Sequence, residues 1–243
     1  MTELAFTPED DVRIACSDPR ELIGRLFVSK VVTLSSLTDA YPELCRGYKS
    51  QNVLVPNPTT TRVCTEEETL GKLVVPFSED TPLSDSRVIA FLPHTESIVE
   101  LLQNSSQESF GRNDCAPGML TTTPEHKSGL RVGLHFDNGE GWARRVGVNH
   151  GPGERALLVG ARSGAVLLRQ EGVKITTKEQ VVQAKKTAIT QGALCLHMVL
   201  KTGDAYMAWT RDVLHDGSTL LLSKESQNTP QRSEVDFFEL PRH

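Results

Sequence analysis

At 243 residues the chain is long enough to bury a sizeable core within one domain. Its 31 acidic side chains outnumber 26 Lys and Arg, for a formal charge of −5. The basic residues are scattered, so no basic face selects for a phosphate backbone and nucleic acid is not an expected partner. The acidic opening residues lack the basic-then-apolar order of a secretory signal, and no run approaches the roughly 18 apolar residues that span a bilayer. The 5 cysteines are odd in number and widely spaced without a Cys-x-x-Cys pair. That argues against a disulfide framework and a zinc knuckle, and the expected setting is a reducing cytoplasm with no membrane partner.

In chain order, Asp18-Pro19-Arg20-Glu21 reads as an N-cap, a proline at the first helical position and a capping-box acid, predicting a helix from Pro19 to Ser29. Short β-prone runs follow at Val31 to Leu34, Val53 to Val55, Leu73 to Phe77 and Arg87 to Leu92, then a weaker helix over Glu96 to Gln103. Gln103 to Ser128, rich in Ser, Thr, Asn and Gly, reads as a long irregular segment of the kind that serves as a lid. Beyond it come further β-prone runs at Leu130 to Phe136, Arg145 to Val148, Ala156 to Val159 and Ala165 to Leu168. Thr177 opens a second capping signature whose apolar stripe stops at Gly192. Leu194 to Leu200, Ala205 to Trp209, Thr219 to Leu222 and Val235 to Leu240 complete the set. So many strands broken by turn residues predict a mainly β (α+β) chain, a sandwich or barrel with a few flanking helices, as one domain over 1–243.

Two stretches carry chemistry. In Leu134-His135-Phe136-Asp137 the imidazole and the carboxylate are two apart, and on a strand residues i and i+2 leave the same face. His215 follows 80 residues later, just before an Asp-Gly pair. If the later strand folds beside the first, His135, Asp137 and His215 form a two-histidine, one-carboxylate triad, whose open positions suit non-haem Fe(II). A His-x-Asp pair alone is a weak signal; the joint arrangement in β-prone sequence carries more weight.

Gly133-Leu-His-Phe-Asp137, Arg145-Val-Gly-Val-Asn-His-Gly-Pro-Gly-Glu-Arg155 and Asp204-Ala-Tyr-Met-Ala-Trp-Thr-Arg-Asp-Val-Leu-His-Asp-Gly-Ser-Thr219 resemble the core strands of small bacterial Fe(II)/2-oxoglutarate-dependent oxygenases. The resemblance spans about Leu130 to Leu240, and the N-terminal half shares none of it. It implies a double-stranded β-helix (jelly-roll, cupin-like) core, Fe(II) held by His135, Asp137 and His215, 2-oxoglutarate and O₂ as co-substrates, and a small-molecule substrate oxidised by a dioxygenase, for instance by hydroxylation. The family's arginine for the far carboxylate of 2-oxoglutarate, a role for which a planar guanidinium is suited, matches Arg232 by order. Arg145 and Arg155 are substitutes, and Thr219 is a possible hydroxyl contact.

The remaining candidates read more plainly. His197, in the alternating Leu194 to Leu200 run, is expected as a hydrogen-bonded core histidine. His150 and His94 fit surface or capping positions, His126 the presumed lid, Trp142 a wall or core, and Trp209 and Tyr206 packing. Gly151-Pro-Gly153 lacks the residues of a phosphate loop, and no Gly-x-Ser-x-Gly elbow supports a hydrolase. Two other function classes stay open: a metal-free or zinc-bearing jelly-roll binding module, and a cupin-type metalloenzyme that uses no keto acid.

Overall fold

A computed structural model describes residues 12–42, 45, 48–66, 69–77, 87–94, 109–115, 132–137, 144–149, 154–163, 177–190, 192–210, 213–218 and 233–240. Among the described residues thirteen strands, in chain order, are β1 (Arg13–Cys16), β2 (Leu26–Thr33), β3 (Leu54–Pro56), β4 (Arg62–Val63), β5 (Val74–Pro76), β6 (Val88–Leu92), β7 (Ser109–Cys115), β8 (Arg144–Asn149), β9 (Arg155–Ser163), β10 (Leu194–Leu200), β11 (Ala205–Ala208), β12 (Val213–Ser218) and β13 (Ser233–Leu240). They form a 7-stranded sheet, β5-β1-β6-β11-β8-β13-β7, and a 6-stranded sheet, β12-β9-β10-β2-β3 with β4 paired to β2. The fold is mainly β, with antiparallel pairing except where β1 meets β5 and β6. From β7 onward the chain alternates between sheets: β7 large, 134–135 against β12, β8 large, β9 and β10 small, β11 large, β12 small, β13 large. Among the described residues no helix is long and apolar enough to cross a membrane.

The layer between the sheets is the main core. Ile14, Ile89, Phe91, Tyr206 and Ala208 from the large sheet meet Leu26, Val28, Leu157, Val159, Leu196, Met198 and Val213 from the small one. A second cluster lies on the other face of the small sheet: Val31, Leu54, Leu134, Phe136, Leu158, Cys195 and Leu214, with Ala184 from the helix α1 (Lys178–Thr190). Alternation puts odd-numbered β9 residues in the first layer and even-numbered ones in the second, as a period of two requires.

The capping box of α1 forms as read: Thr177 N donates to Gln180 Oε1 at 3.1 Å, Gln180 N donates to Thr177 Oγ1 at 3.2 Å, and the chain leaves the helix at Gly192 with φ 63°. The helix expected over Pro19 to Ser29 is a correction. Asp18 does cap, accepting from Arg20 N at 3.1 Å, but only one 3₁₀ turn, Pro19–Leu22, follows before the chain turns at Gly24 (φ 73°) and enters β2. Leu26 and Val28 then sit fully in the inter-sheet core. Burying each is worth about 1.5–3 kcal/mol, while helix propensities differ by under about 1 kcal/mol per residue, so tertiary packing wins.

The Gln103 to Ser128 segment is also corrected in part, because Ser109–Cys115 is β7, paired with β13; long-range pairing, not local composition, makes that strand. In the expected strand Leu130 to Phe136, the described residues make two isolated bridges, Leu54 with Leu134 and His135 with His215. The N-terminal strands β1 and β4 have no counterpart among the expected β-prone runs. Glu96 to Gln103, Ala165 to Leu168 and Thr219 to Leu222 lie outside the described residues.

His197 is a core histidine, as expected: it is buried on β10 and its Nε2 lies 3.0 Å from Ser29 Oγ, which also bonds Thr61 Oγ1. Burial holds its pKa down to about 3. Because the unfolded chain binds that proton near pH 6.5 and the folded chain does not, stability is full above about pH 6.5 and falls by about 1.4 kcal/mol per unit toward pH 3. Urea unfolding from pH 7.5 to 5 is therefore expected to show a decline that His197→Gln makes shallower; equal slopes in the two proteins would contradict this account.

Candidate metal centre

His135 and His215 face each other as a hydrogen-bonded antiparallel pair. Each backbone N donates to the other's carbonyl at 2.9 Å, and the imidazole rings leave one face with centroids 4.7 Å apart. Each Nδ1 bonds the carbonyl two residues upstream, Gly133 O at 2.7 Å for His135 and Val213 O at 3.1 Å for His215. A carbonyl only accepts, so Nδ1 carries the proton and Nε2 the lone pair, the tautomer a metal ligand needs. Asp137 lies two residues on, its backbone N donating to Thr210 O at 3.0 Å. Its Oδ1 stands 3.7 Å from His135 Nε2 and its Oδ2 3.8 Å from His215 Nε2. The three donor atoms lie within 4.8 Å of one another, too far apart to hydrogen-bond and close enough to share one ion.

The electrostatics suit that role. Burial pushes the His215 imidazole down, against the raising field of Asp137, which favours the neutral ligand form. Burial pushes the Asp137 carboxyl up, but His215, Arg145 and His135, with a hydrogen bond from Thr210, outweigh it and hold it below the usual carboxylate range. The donor set, two neutral imidazoles and an ionised carboxylate, is one that suits Fe(II) and also accommodates other divalent ions.

The structure thus brings together His135, Asp137 and His215, and adds Arg145, whose Nη1 stands 3.1 Å from Asp137 Oδ2 as an ion pair without hydrogen-bond alignment. The Arg145 guanidinium, expected as a substitute anchor for the co-substrate, thus has one nitrogen against the candidate ligand carboxylate. Arg155 is 1% exposed on β9, and its guanidinium fills the space a Cβ on Gly217 would take. Gly217 shares a face with His215, so Arg155 lies on the triad's side of the small sheet, about two residues along. Arg232 and Thr219 lie outside the described residues, as do His126, Trp142 and His150; His94 is exposed.

The supporting carbonyls were not foreseen. Gly133 is the one with a sequence signal, since a glycine two before a candidate ligand hints at special backbone. Its φ is 75°, and an added Cβ would stand 2.7 Å from Leu54 O and 2.9 Å from Val53 Cβ. The glycine lets the chain pass β3 and still present its carbonyl to His135.

No protein-family model matches the chain, and a search of curated proteins finds no match either. Site geometry therefore carries the functional reading.

Gly133→Ala is expected to cost about 1–2 kcal/mol from the left-handed backbone alone, with more from the clash, and to weaken divalent-metal binding by freeing the His135 ring. Chemical denaturation and calorimetric Mn(II) titration check both; unchanged metal affinity in a folded variant would mean the Gly133 carbonyl does not orient the ligand.

Proposed function

We propose that the chain is a non-haem Fe(II)- and 2-oxoglutarate-dependent dioxygenase on a double-stranded β-helix, oxidising a small molecule such as an amino acid or a biosynthetic intermediate. The observation that carries this reading is the buried His135-Asp137-His215 cluster with both Nε2 atoms turned toward the carboxylate. The strand order from β7 to β13 supports it, because its alternation between two sheets is what two interleaved four-stranded turns of a jelly roll produce. When bound, iron with 2-oxoglutarate and O₂ would supply the oxidising power, the keto acid being decarboxylated to succinate and CO₂.

The chain's own part is ligation, orientation and dryness. His135, Asp137 and His215 hold the ion, and Arg145 keeps Asp137 ionised and pointed. Arg155, on the same face as His215, is the described arginine best placed for the far carboxylate of 2-oxoglutarate, while Arg232 keeps its claim by order alone. Leu157, Val159 and Val213 beside the site exclude water that would quench a reactive centre.

One observation favours a second reading, a metal-free binding module: Arg145 already supplies a counter-charge to Asp137. Anaerobic Fe(II) titration with 2-oxoglutarate separates the two, since the chelate gives a weak visible charge-transfer absorption that a metal-free module lacks. His135→Ala and His215→Ala are expected to lose iron affinity by more than the roughly 10–100-fold typical of losing a group that merely orients a ligand, with the fold retained; iron affinity preserved in both would rule out the assignment. Arg155→Met is expected to raise the 2-oxoglutarate requirement at unchanged iron affinity, and if only Arg232→Ala does so, Arg232 is the anchor. Succinate release under O₂ tells the keto-acid reaction from a keto-acid-independent cupin enzyme.

A further inference from the structure

The Asp137 carboxylate faces two ways. On one side it stands 3.7 Å and 3.8 Å from the Nε2 atoms of His135 and His215, and on the other 3.1 Å from Nη1 of Arg145. The guanidinium comes from the other sheet. Arg145 lies on β8 opposite Ala208 of β11, whose small side chain belongs to the inter-sheet core, so the arginine enters that layer from the large sheet. There it meets Asp137, which follows the residues bridged to the edge and to β3 of the small sheet.

What Arg145 adds is chiefly charge. Its contact with Asp137 lacks hydrogen-bond alignment, whereas the outer partners that orient metal ligands do so through hydrogen bonds. Direction comes from the backbone: Asp137 N donates to Thr210 O at 3.0 Å, two residues after the mutual pairing of His135 with His215. Two neutral imidazoles and one carboxylate carry a single negative charge, and the guanidinium cancels it. Arg145 is 5% exposed and Asp137 8%, so water and salt screen this cancellation little. A divalent cation approaching the three donors thus meets a neutral cluster, with a fixed positive charge already against one ligand. A guanidinium does not deprotonate in proteins, so the counter-charge is permanent.

We propose that Arg145 is a built-in counter-cation of the metal centre: it neutralises Asp137 in place of a divalent ion, competes with that ion for the carboxylate, and lowers the affinity so that the metal is exchangeable. The inference rests on the reading of His135, Asp137 and His215 as a metal centre and adds the residue that regulates its loading. It also accounts for a guanidinium buried in this layer. A buried charge without its partner is strongly destabilising, so a chain that folds before it meets its metal is stabilised by carrying its own cation.

The test is calorimetric Mn(II) binding, with thermal unfolding after chelation and again in saturating Mn(II), on the full chain carrying Arg145→Met, Arg145→Gln or Arg145→Lys. The two neutral variants are expected to bind Mn(II) roughly ten- to a hundredfold more tightly than wild type, and Arg145→Lys, which keeps the charge, within about threefold of it. After chelation the neutral variants are expected to melt several degrees below wild type. Saturating Mn(II) is expected to close most of that gap, because the ion then supplies the counter-charge. Neutral variants that fold only with Mn(II) present support the inference for the same reason. Neutral variants that bind Mn(II) no more tightly than wild type would overturn it, since Arg145 would then support the ligand rather than compete with the ion. So would an Arg145→Lys affinity as tight as that of Arg145→Met, or neutral variants that stay unfolded even in Mn(II). In each of those cases, wild-type Mn(II) binding that His215→Ala abolishes keeps the metal reading intact. If no protein in the set binds Mn(II), the metal reading falls and this inference with it.

Discussion

Everything in the candidate centre hangs on the mutual backbone pairing of His135 and His215. Two hydrogen bonds of 2.9 Å tie a segment that belongs to no regular strand to the edge of the small sheet. Each is worth only about 0.5–1.5 kcal/mol net, yet together they set two side chains 80 positions apart on one face. The neighbouring bridge from Leu134 to Leu54 ties the same segment to β3 at the other end of that sheet's path, so the segment is held from both sides. Once it is held, the Asp137 carboxylate lies 3.7 Å and 3.8 Å from the two imidazole Nε2 atoms.

The fold then divides the inter-sheet layer by polarity. Most of it is aliphatic, which is what makes the sheets stack. At the triad it holds buried Arg145, Arg155, Asp137 and His215, groups that would be costly there without partners or ligands. Gly133, Gly147 and Gly217 give the space: one lets a carbonyl reach His135, one admits the Tyr206 ring, and one admits the Arg155 guanidinium.

Two buried histidines show why burial alone says nothing about role. His197 and His215 are each 1% exposed, and burial lowers the pKa of both. His197 spends Nε2 on Ser29 and is finished as a structural group. His215 spends Nδ1 on its own strand, which turns Nε2 toward a carboxylate 3.8 Å away.

By itself the sequence determined the β-rich character, the capping box of α1, the strand Leu194–Leu200, the core role of His197 and the three candidate ligands. All of these are written in local spacing: period two on a strand, a Thr and a Gln three apart, a His and an Asp two apart. Tertiary structure alone decided that Leu26 and Val28 belong to a strand rather than a helix, because their burial between sheets outweighs local preference. It alone made Ser109–Cys115 a strand, turned Arg145 toward Asp137, and left the Tyr206 hydroxyl without a hydrogen-bond partner among the described residues. Each of those outcomes depends on what lies across a sheet or between two sheets, and such neighbours come from parts of the chain that no local pattern links.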